Sequence, residues 1–252
     1  MQVSKINWAG LLVENFNDAL NFFKQTLGLP MENLYAEKQI AQFRLPSGQL
    51  FELFGPKNRK RKEKYKFFKG IALGFEVSNL DEVNKKLKDN KVKYITDVES
   101  SSHDSWSMFL GPENNVLQVQ QSKSTGFKNI AYICLYVSNM AETVYFYRNI
   151  LGLEPLNPKE NPETSHWYAF KTGQTILAIE RHGVKKTSLK TKAENPYLLQ
   201  FIAETPEAFE LFNQKLEKHK VKLLDRSKRT NYGTITNFYD PDGNKIEVIY
   251  QN

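Results

Sequence analysis

Two strand-like segments carry a carboxylate between apolar neighbours, Phe51-Glu52-Leu53 and Ile246-Glu247-Val248. An acid in that setting, close to aromatic surface, can meet an organic cation or a metal ion. It can equally be satisfied by an arginine, a lysine or a tyrosine hydroxyl and do no chemistry. Aromatic surface is plentiful, at Trp8, Trp106, Tyr132, Tyr136, Trp167 and Tyr168. The four histidines, His103, His166, His182 and His219, lie far apart in sequence. His103 and His166 precede strand-like runs and are candidates to touch a ligand, with a plain surface role as the alternative. Cys134 is the only cysteine; it reads as a small hydrophobe rather than a nucleophile, and it excludes an internal disulfide. No Ser-His-Asp order and no phosphate-binding loop is present.

The 252 residues suffice for one large domain or two ordinary ones, and 40% hydrophobic with 25% charged residues describes a folded chain rather than a disordered one. No run of about 18 uncharged apolar residues occurs, and Met1 to Trp8 lacks the apolar block of a secretory signal. A cytoplasmic protein without a membrane partner is therefore expected. The net charge of +7 gathers partly at Lys57–Lys66 and Lys185–Lys192. A basic run interleaved with Tyr65, Phe67 and Phe68 could contact phosphates and bases. The simpler reading is a pair of solvated loops, since no zinc-finger or RNP-type sequence accompanies them.

The elements that would position these side chains repeat. Trp8-Ala-Gly-Leu-Leu-Val-Glu-Asn15 parallels Tyr132-Ile-Cys-Leu-Tyr-Val-Ser-Asn139. Each is an extended apolar run ending at an asparagine able to cap a helix. The segments behind them share an aromatic pair, a basic residue and the ending Leu-Gly-Leu, with Gly28 and Gly152 as helix stops. Strand-like runs follow at 34–37, 40–45 and 49–54, and at 167–171 and 174–180. A second round opens in each half, at Leu73–Asn79 with Glu82 completing a capping box, and at Leu198–Ala203 with Thr205-Pro206-Glu207 starting a helix. The halves close on Gly111-Pro-Glu-Asn-Asn115 and Asp240-Pro-Asp-Gly-Asn244, each followed by a strand. The pattern is four βαβββ modules, two in residues 1–121 and two in 127–252, with 122–126 as linker.

The Val-x-Asn strands, the Leu-Gly-Leu helix ends, the Leu50–Phe54 strand and the Asp-Pro-Asp-Gly-Asn-Lys-Ile-Glu motif at 240–247 resemble the vicinal oxygen chelate superfamily of glyoxalases, bleomycin-resistance proteins and extradiol dioxygenases. The likeness implies an α+β fold of two tandem glyoxalase-like domains with cupped mixed sheets. Ala9, Leu11 and Val13, with Ile133, Leu135 and Val137, should then pack under the helices. Trp8, Gly10, Leu12, Tyr132, Cys134 and Tyr136 should line the cups. In metal-dependent relatives histidine and carboxylate ligands come from the first and last strands of the modules. The matching first-strand positions here are Trp8, Ala72, Tyr132 and Leu198, and the last-strand positions are Glu52, Gln118, Ala178 and Glu247. Only Glu52, Gln118 and Glu247 are even weak metal candidates, with Glu52 expected to face Gln118, so no metal cofactor is expected although a divalent ion stays open.

Three functions follow. The preferred one is a small-molecule-binding protein with a degenerate metal site, holding an aromatic or cationic ligand against Trp8, Tyr132, Tyr136, Cys134, Glu52, Gln118, Glu247, His103 or His166. The alternatives are a metal-dependent glyoxalase-like lyase or ring-cleaving dioxygenase, and a nucleic-acid-binding module using the basic loops. Two fused halves also imply a monomer with an internal pseudo-dimer, open to further association.

Overall fold

The protein, seen in a computed structural model, is described over residues 3–58, 70–100, 104–122, 129–181 and 196–251. The first module runs β1 (Val3–Leu12), α1 (Phe16–Asn21), β2 (Met31–Tyr35), β3 (Ile40–Arg44) and β4 (Leu50–Phe54). The second is β5 (Ile71–Glu76), α2 (Leu80–Asp89), β6 (Tyr94–Ser100), β7 (Asp104–Leu110) and β8 (Val116–Ser122). The third is β9 (Ile130–Val137), α3 (Met140–Tyr145), β10 (Glu154–Pro155), β11 (Trp167–Thr172) and β12 (Thr175–Arg181). The fourth is β13 (Tyr197–Ala203), α4 (Pro206–Lys218), β14 (Leu223–Thr230), β15 (Gly233–Tyr239) and β16 (Lys245–Tyr250). The expected βαβββ order thus recurs four times. The basic runs read as solvated loops, Lys57–Lys66 and Lys185–Lys192, lie almost wholly outside the described residues.

The strands are ordered β14-β15-β16-β13-β1-β4-β3-β2 and β10-β11-β12-β9-β5-β8-β7-β6. Within modules the hairpins are antiparallel, while β13 with β16 and β5 with β8 run parallel. By compactness the chain divides into residues 10–133 and residues 1–9 with 134–252.

Each helix starts where the sequence places a cap. Asn15, Asn79, Asn139 and Thr205 accept from the backbone N–H of Asp18, Glu82, Glu142 and Ala208. Helices α1 and α3 then widen into π turns over Phe22–Thr26 and Phe146–Ile150 and stop at glycines with φ of 77° and 81°. The wide turns put Phe23 and Tyr147 into the two cores. In the 10–133 unit Phe23 packs on Phe51 with ring centroids 4.8 Å apart, and Phe43 and Phe75 flank them. Ala9, Leu11, Val13, Ile133, Leu135 and Val137 are all buried, as strand alternation requires.

The Asp-Pro-Asp-Gly-Asn turn does structural work in the 134–252 part. Asp242 accepts from Ser138 N–H and Oγ, both at 3.1 Å, and from Thr143 Oγ1 at 2.5 Å, which ties the fourth module to the start of α3. Asp240, 5% exposed, accepts from two backbone N–H groups, from Asn244 Nδ2 at 2.7 Å and from Tyr147 Oη at 2.9 Å. The first half builds the same clasp with other residues. Glu113 accepts from the N–H of Glu14 and of Asn15, ahead of α1. Where the second half pairs Tyr147 with Asp240, the first has Phe23 and Gly111, so the hydroxyl and its acceptor are absent together. A side chain restored at Gly111 alone would require Leu117 to shift, because a Cβ there would lie 2.3 Å from Leu117 Cδ1.

Burial, and then the neighbouring Asp242 carboxylate, push the Asp240 carboxyl up to about 7 against the pull of its donors. The folded protein holds that proton after the unfolded chain has lost it, so stability should fall as pH rises from about 4 to 7. Urea midpoints across that range should show the fall in the wild type and a flatter profile in Asp240→Asn. Asp242→Ala, which strands buried donors, should lose about 2–4 kcal/mol, and Glu113→Ala, on a more exposed clasp, about 1 kcal/mol.

Candidate functional site

Strand β16 buries Ile246 and Val248 on one side and turns Lys245 and Glu247 to the other. The parallel ladder with β13 sets Gln200 beside Glu247, and Gln200 Nε2 donates to Glu247 Oε1 at 2.6 Å. The antiparallel ladder with β15 sets Asn237 on its other flank. Asn237 in turn faces Asp225 on β14 and donates Nδ2 to Oδ2 at 3.4 Å. A polar row, Asp225, Asn237, Glu247, Gln200, therefore crosses four strands.

Asp225 reaches the row through an irregularity. The β14–β15 register shifts on both sides of it, and Ser227 takes a φ of 45° while its N–H donates to Thr236 Oγ1. Lys228 Nζ lies 3.6 Å from Asp225 Oδ1. Beside the row opens a cavity of about 250 Å³, walled by Trp8, Leu198 and Leu224, with Glu247, Asp225, Asn237 and Lys245 as its polar lining. Burial raises the Glu247 carboxyl above its ordinary range. The Gln200 and Asn237 donors and the charge of Lys228 pull it down, and the charge of Asp225 adds to the rise. A carboxylate whose affinity for protons is raised inside an aromatic and aliphatic pocket is an anion short of a partner.

The other expected residues fall elsewhere. Glu52 on β4 has a simpler row: Gln42 Nε2 donates to it at 2.6 Å, and Asn33 donates to Gln42 at 2.9 Å. Gln118 does not face Glu52, because β8 and β4 belong to different sheets. It lies buried between Met108 and Gly74 and donates to Gln120 at 2.9 Å. Tyr132 packs over Gly74, where an added Cβ would come within 2.8 Å of its own Cβ.

Cys134 is buried and its Sγ lies 3.7 Å from Glu180 Oε2; Tyr136 is close to both, and burial, then their charge, raise its hydroxyl. Glu180, not Ala178, is thus the acid of the third module, paired across β11 with the exposed Trp167. Tyr168 faces the opposite way, into the core against Phe170. His166 is exposed, with its carbonyl accepting from Arg181 N–H. His103 and His182 lie outside the described residues.

Gln200, Asn237, Asp225 and Glu180 were not singled out from sequence. Gln200 and Glu180 stand two residues beyond Leu198 and Ala178, so strand alternation alone would have found them. Asp225 would not have been found that way, since a bulge breaks the parity.

A divalent-metal centre of the kind the superfamily likeness implies was tested against these residues. At the two first-strand positions beside Glu247 stand Trp8 and Leu198, and an amide N–H is aimed at its Oε1. Among the described residues no group of three or more histidines, cysteines or acids comes together. The donor set around Glu247 does not fit such a centre.

Comparison with known proteins agrees with this architecture. The family model of the Glyoxalase/Bleomycin resistance protein/Dioxygenase superfamily matches residues 5–119 and 129–248. The uncharacterised protein YraH of Bacillus subtilis (strain 168) is 30% identical over 124 residues, 46% of this chain and 93% of YraH. Among solved structures, glyoxalase I from Zea mays superposes with a TM-score of 0.71 at 14% identity, over 98% of this chain and 92% of that one. A putative dioxygenase from Bacillus subtilis gives 0.70 at 12% identity, over 99% and 86%. At those identities the likeness is one of fold.

The raised Glu247 carboxyl carries its own consequence for stability. Its contribution is largest at low pH and is lost as the pH climbs through its raised range. Glu247→Gln, which keeps an acceptor for Gln200, should leave the protein as stable or about 0.5–2 kcal/mol more stable near pH 8 by thermal unfolding, as at sites shaped for binding rather than for folding. A large loss would assign Glu247 a structural role.

Proposed function

The chain belongs to the glyoxalase/bleomycin resistance protein/dioxygenase superfamily, and we propose that within it this protein binds a small aromatic or cationic molecule with side chains alone, the metal site being degenerate. The observation that carries this is Glu247 in its cavity: a half-buried carboxylate held by Gln200 and flanked by Asn237, next to the indole of Trp8 and the side chains of Leu198 and Leu224. Aliphatic and indole surface reward the apolar part of a ligand. Its positive charge gains the half-buried carboxylate and, over the indole, a cation–π contact of about 0.5–2 kcal/mol. Gln200 fixes the Glu247 carboxyl, so little side-chain freedom is lost on binding.

Benzyltrimethylammonium, whose charge does not titrate, tests this. Its affinity, read from quenching of tryptophan fluorescence, should rise with pH through the raised range of Glu247, because the proton and the ligand compete for one carboxylate. Glu247→Gln should lose about tenfold, 1.4 kcal/mol, and flatten the pH profile. Trp8→Leu, which removes the fluorescent reporter and is followed by calorimetry instead, should weaken binding while keeping the profile. Affinity independent of pH and of Glu247 would contradict the proposal.

A further inference from the structure

The cavity holds one more charge. Lys245 stands two residues before Glu247 on β16, so the two side chains leave the same face of the strand, with Cα atoms roughly 7 Å apart. Both line the cavity, and both are half-buried. Asp225 already has Lys228 at 3.6 Å, and Glu247 has Gln200. Ion pairs among the described residues include Arg44–Glu32, Lys86–Glu82, Arg226–Glu217 and Lys228–Asp225, and Lys245 takes part in none of these. Its ladder neighbours are Leu198 and Tyr239, neither of which supplies an anion. A cation on a cavity wall with no counter-ion among the described residues is as incomplete as the carboxylate beside it. The two do not meet in an ion pair of their own, so a ligand that joins them must carry both charges.

We propose that the ligand is a small zwitterion, an α-amino acid or similar aminocarboxylate, with its ammonium on Glu247, its carboxylate on Lys245 and an apolar side chain against Trp8. This rests on the small-molecule-binding reading of the same cavity. Spacing and size support it. Two charge-assisted hydrogen bonds of about 2.8 Å, with the narrow charged head of an amino acid between them, span the distance between a Glu and a Lys two residues apart on one strand face. About 250 Å³ corresponds to roughly eight water volumes, room for one amino acid and not for a folded peptide. Lys245 also sets a polarity. The carboxylate end lies toward the start of β16, and the charged head is read along the strand while the row Asp225–Asn237–Glu247–Gln200 crosses it. A purely cationic ligand would leave Lys245 uncompensated and pay for its proximity.

Three probes of one shape separate the possibilities: phenylalanine, phenethylamine and 3-phenylpropionate, measured by calorimetry near neutral pH at low salt. Phenylalanine should bind at least about tenfold more tightly than either analogue, a difference of about 1.4 kcal/mol. Lys245→Gln should lower phenylalanine affinity and, by removing the repelling charge, hold or tighten phenethylamine binding, so that the two bind alike, while Lys245→Arg retains the preference and shows that the fold tolerates change there. Phenethylamine binding as tightly as phenylalanine, or phenylalanine indifferent to Lys245→Gln, would overturn the zwitterion and leave the cation-binding cavity standing. Absence of binding by all three at about 10 mM, weaker than about 3 kcal/mol, would overturn both.

Discussion

A carboxylate taken out of water must find donors or keep a proton, and the 134–252 part of this protein meets that constraint at two acids, both pushed upward by burial but held by different numbers of donors. At Asp240 four donors converge from a turn and from Tyr147, and the acid is consumed in holding the turn together. At Glu247 only two side-chain amides serve, Gln200 Nε2 at 2.6 Å and Asn237 on the flank. The first arrangement closes a structure. The second leaves an anion with capacity to spare beside a cavity, and that surplus is what gives the site its chemistry.

The clasps explain how such a surplus can be tolerated. Each half secures the turn before its last strand to the start of its first helix, through Glu113 in one and Asp242 in the other. The last strand is thereby fixed in position independently of what its outward face carries. Strand β16 can then present Lys245 and Glu247 to the cavity while Ile246 and Val248 stay in the core. Stability and binding are divided between alternate residues of one strand, which is the economy that period-two geometry allows.

Much of this was legible in the sequence. Caps at Asn15, Asn79, Asn139 and Thr205, glycine stops at Gly28 and Gly152, and alternation along 8–13 and 132–137 are local signals, and each marked its element. The placement of Trp8 followed from the same alternation, and that of Glu247 from the resemblance carried by the 240–247 motif. What stayed hidden depends on pairing between distant strands. Glu52 and Gln118 hold matching positions in their modules, yet strand order puts them in different sheets, and no local pattern encodes that order. Asp225 is brought to the row by a bulge that sequence parity cannot register. The role of Asp-Pro-Asp-Gly-Asn as a clasp depends on Ser138 and Thr143, about a hundred residues earlier. Its counterpart Gly111-Pro-Glu-Asn-Asn115 shows that the geometry, rather than the identity of the acid, is what the fold requires.

The claim on which the account turns is that Glu247 is an exchangeable anion rather than a structural one. The most direct measurement is a pH titration of the side-chain carboxyl carbons by NMR in protein labelled at glutamate, run with and without benzyltrimethylammonium and assigned with Glu247→Gln. The account predicts one carboxyl, absent from the variant, that titrates above the ordinary glutamate range and moves down when the cation is added. A Glu247 carboxyl that titrates in the ordinary range and ignores the cation would contradict it.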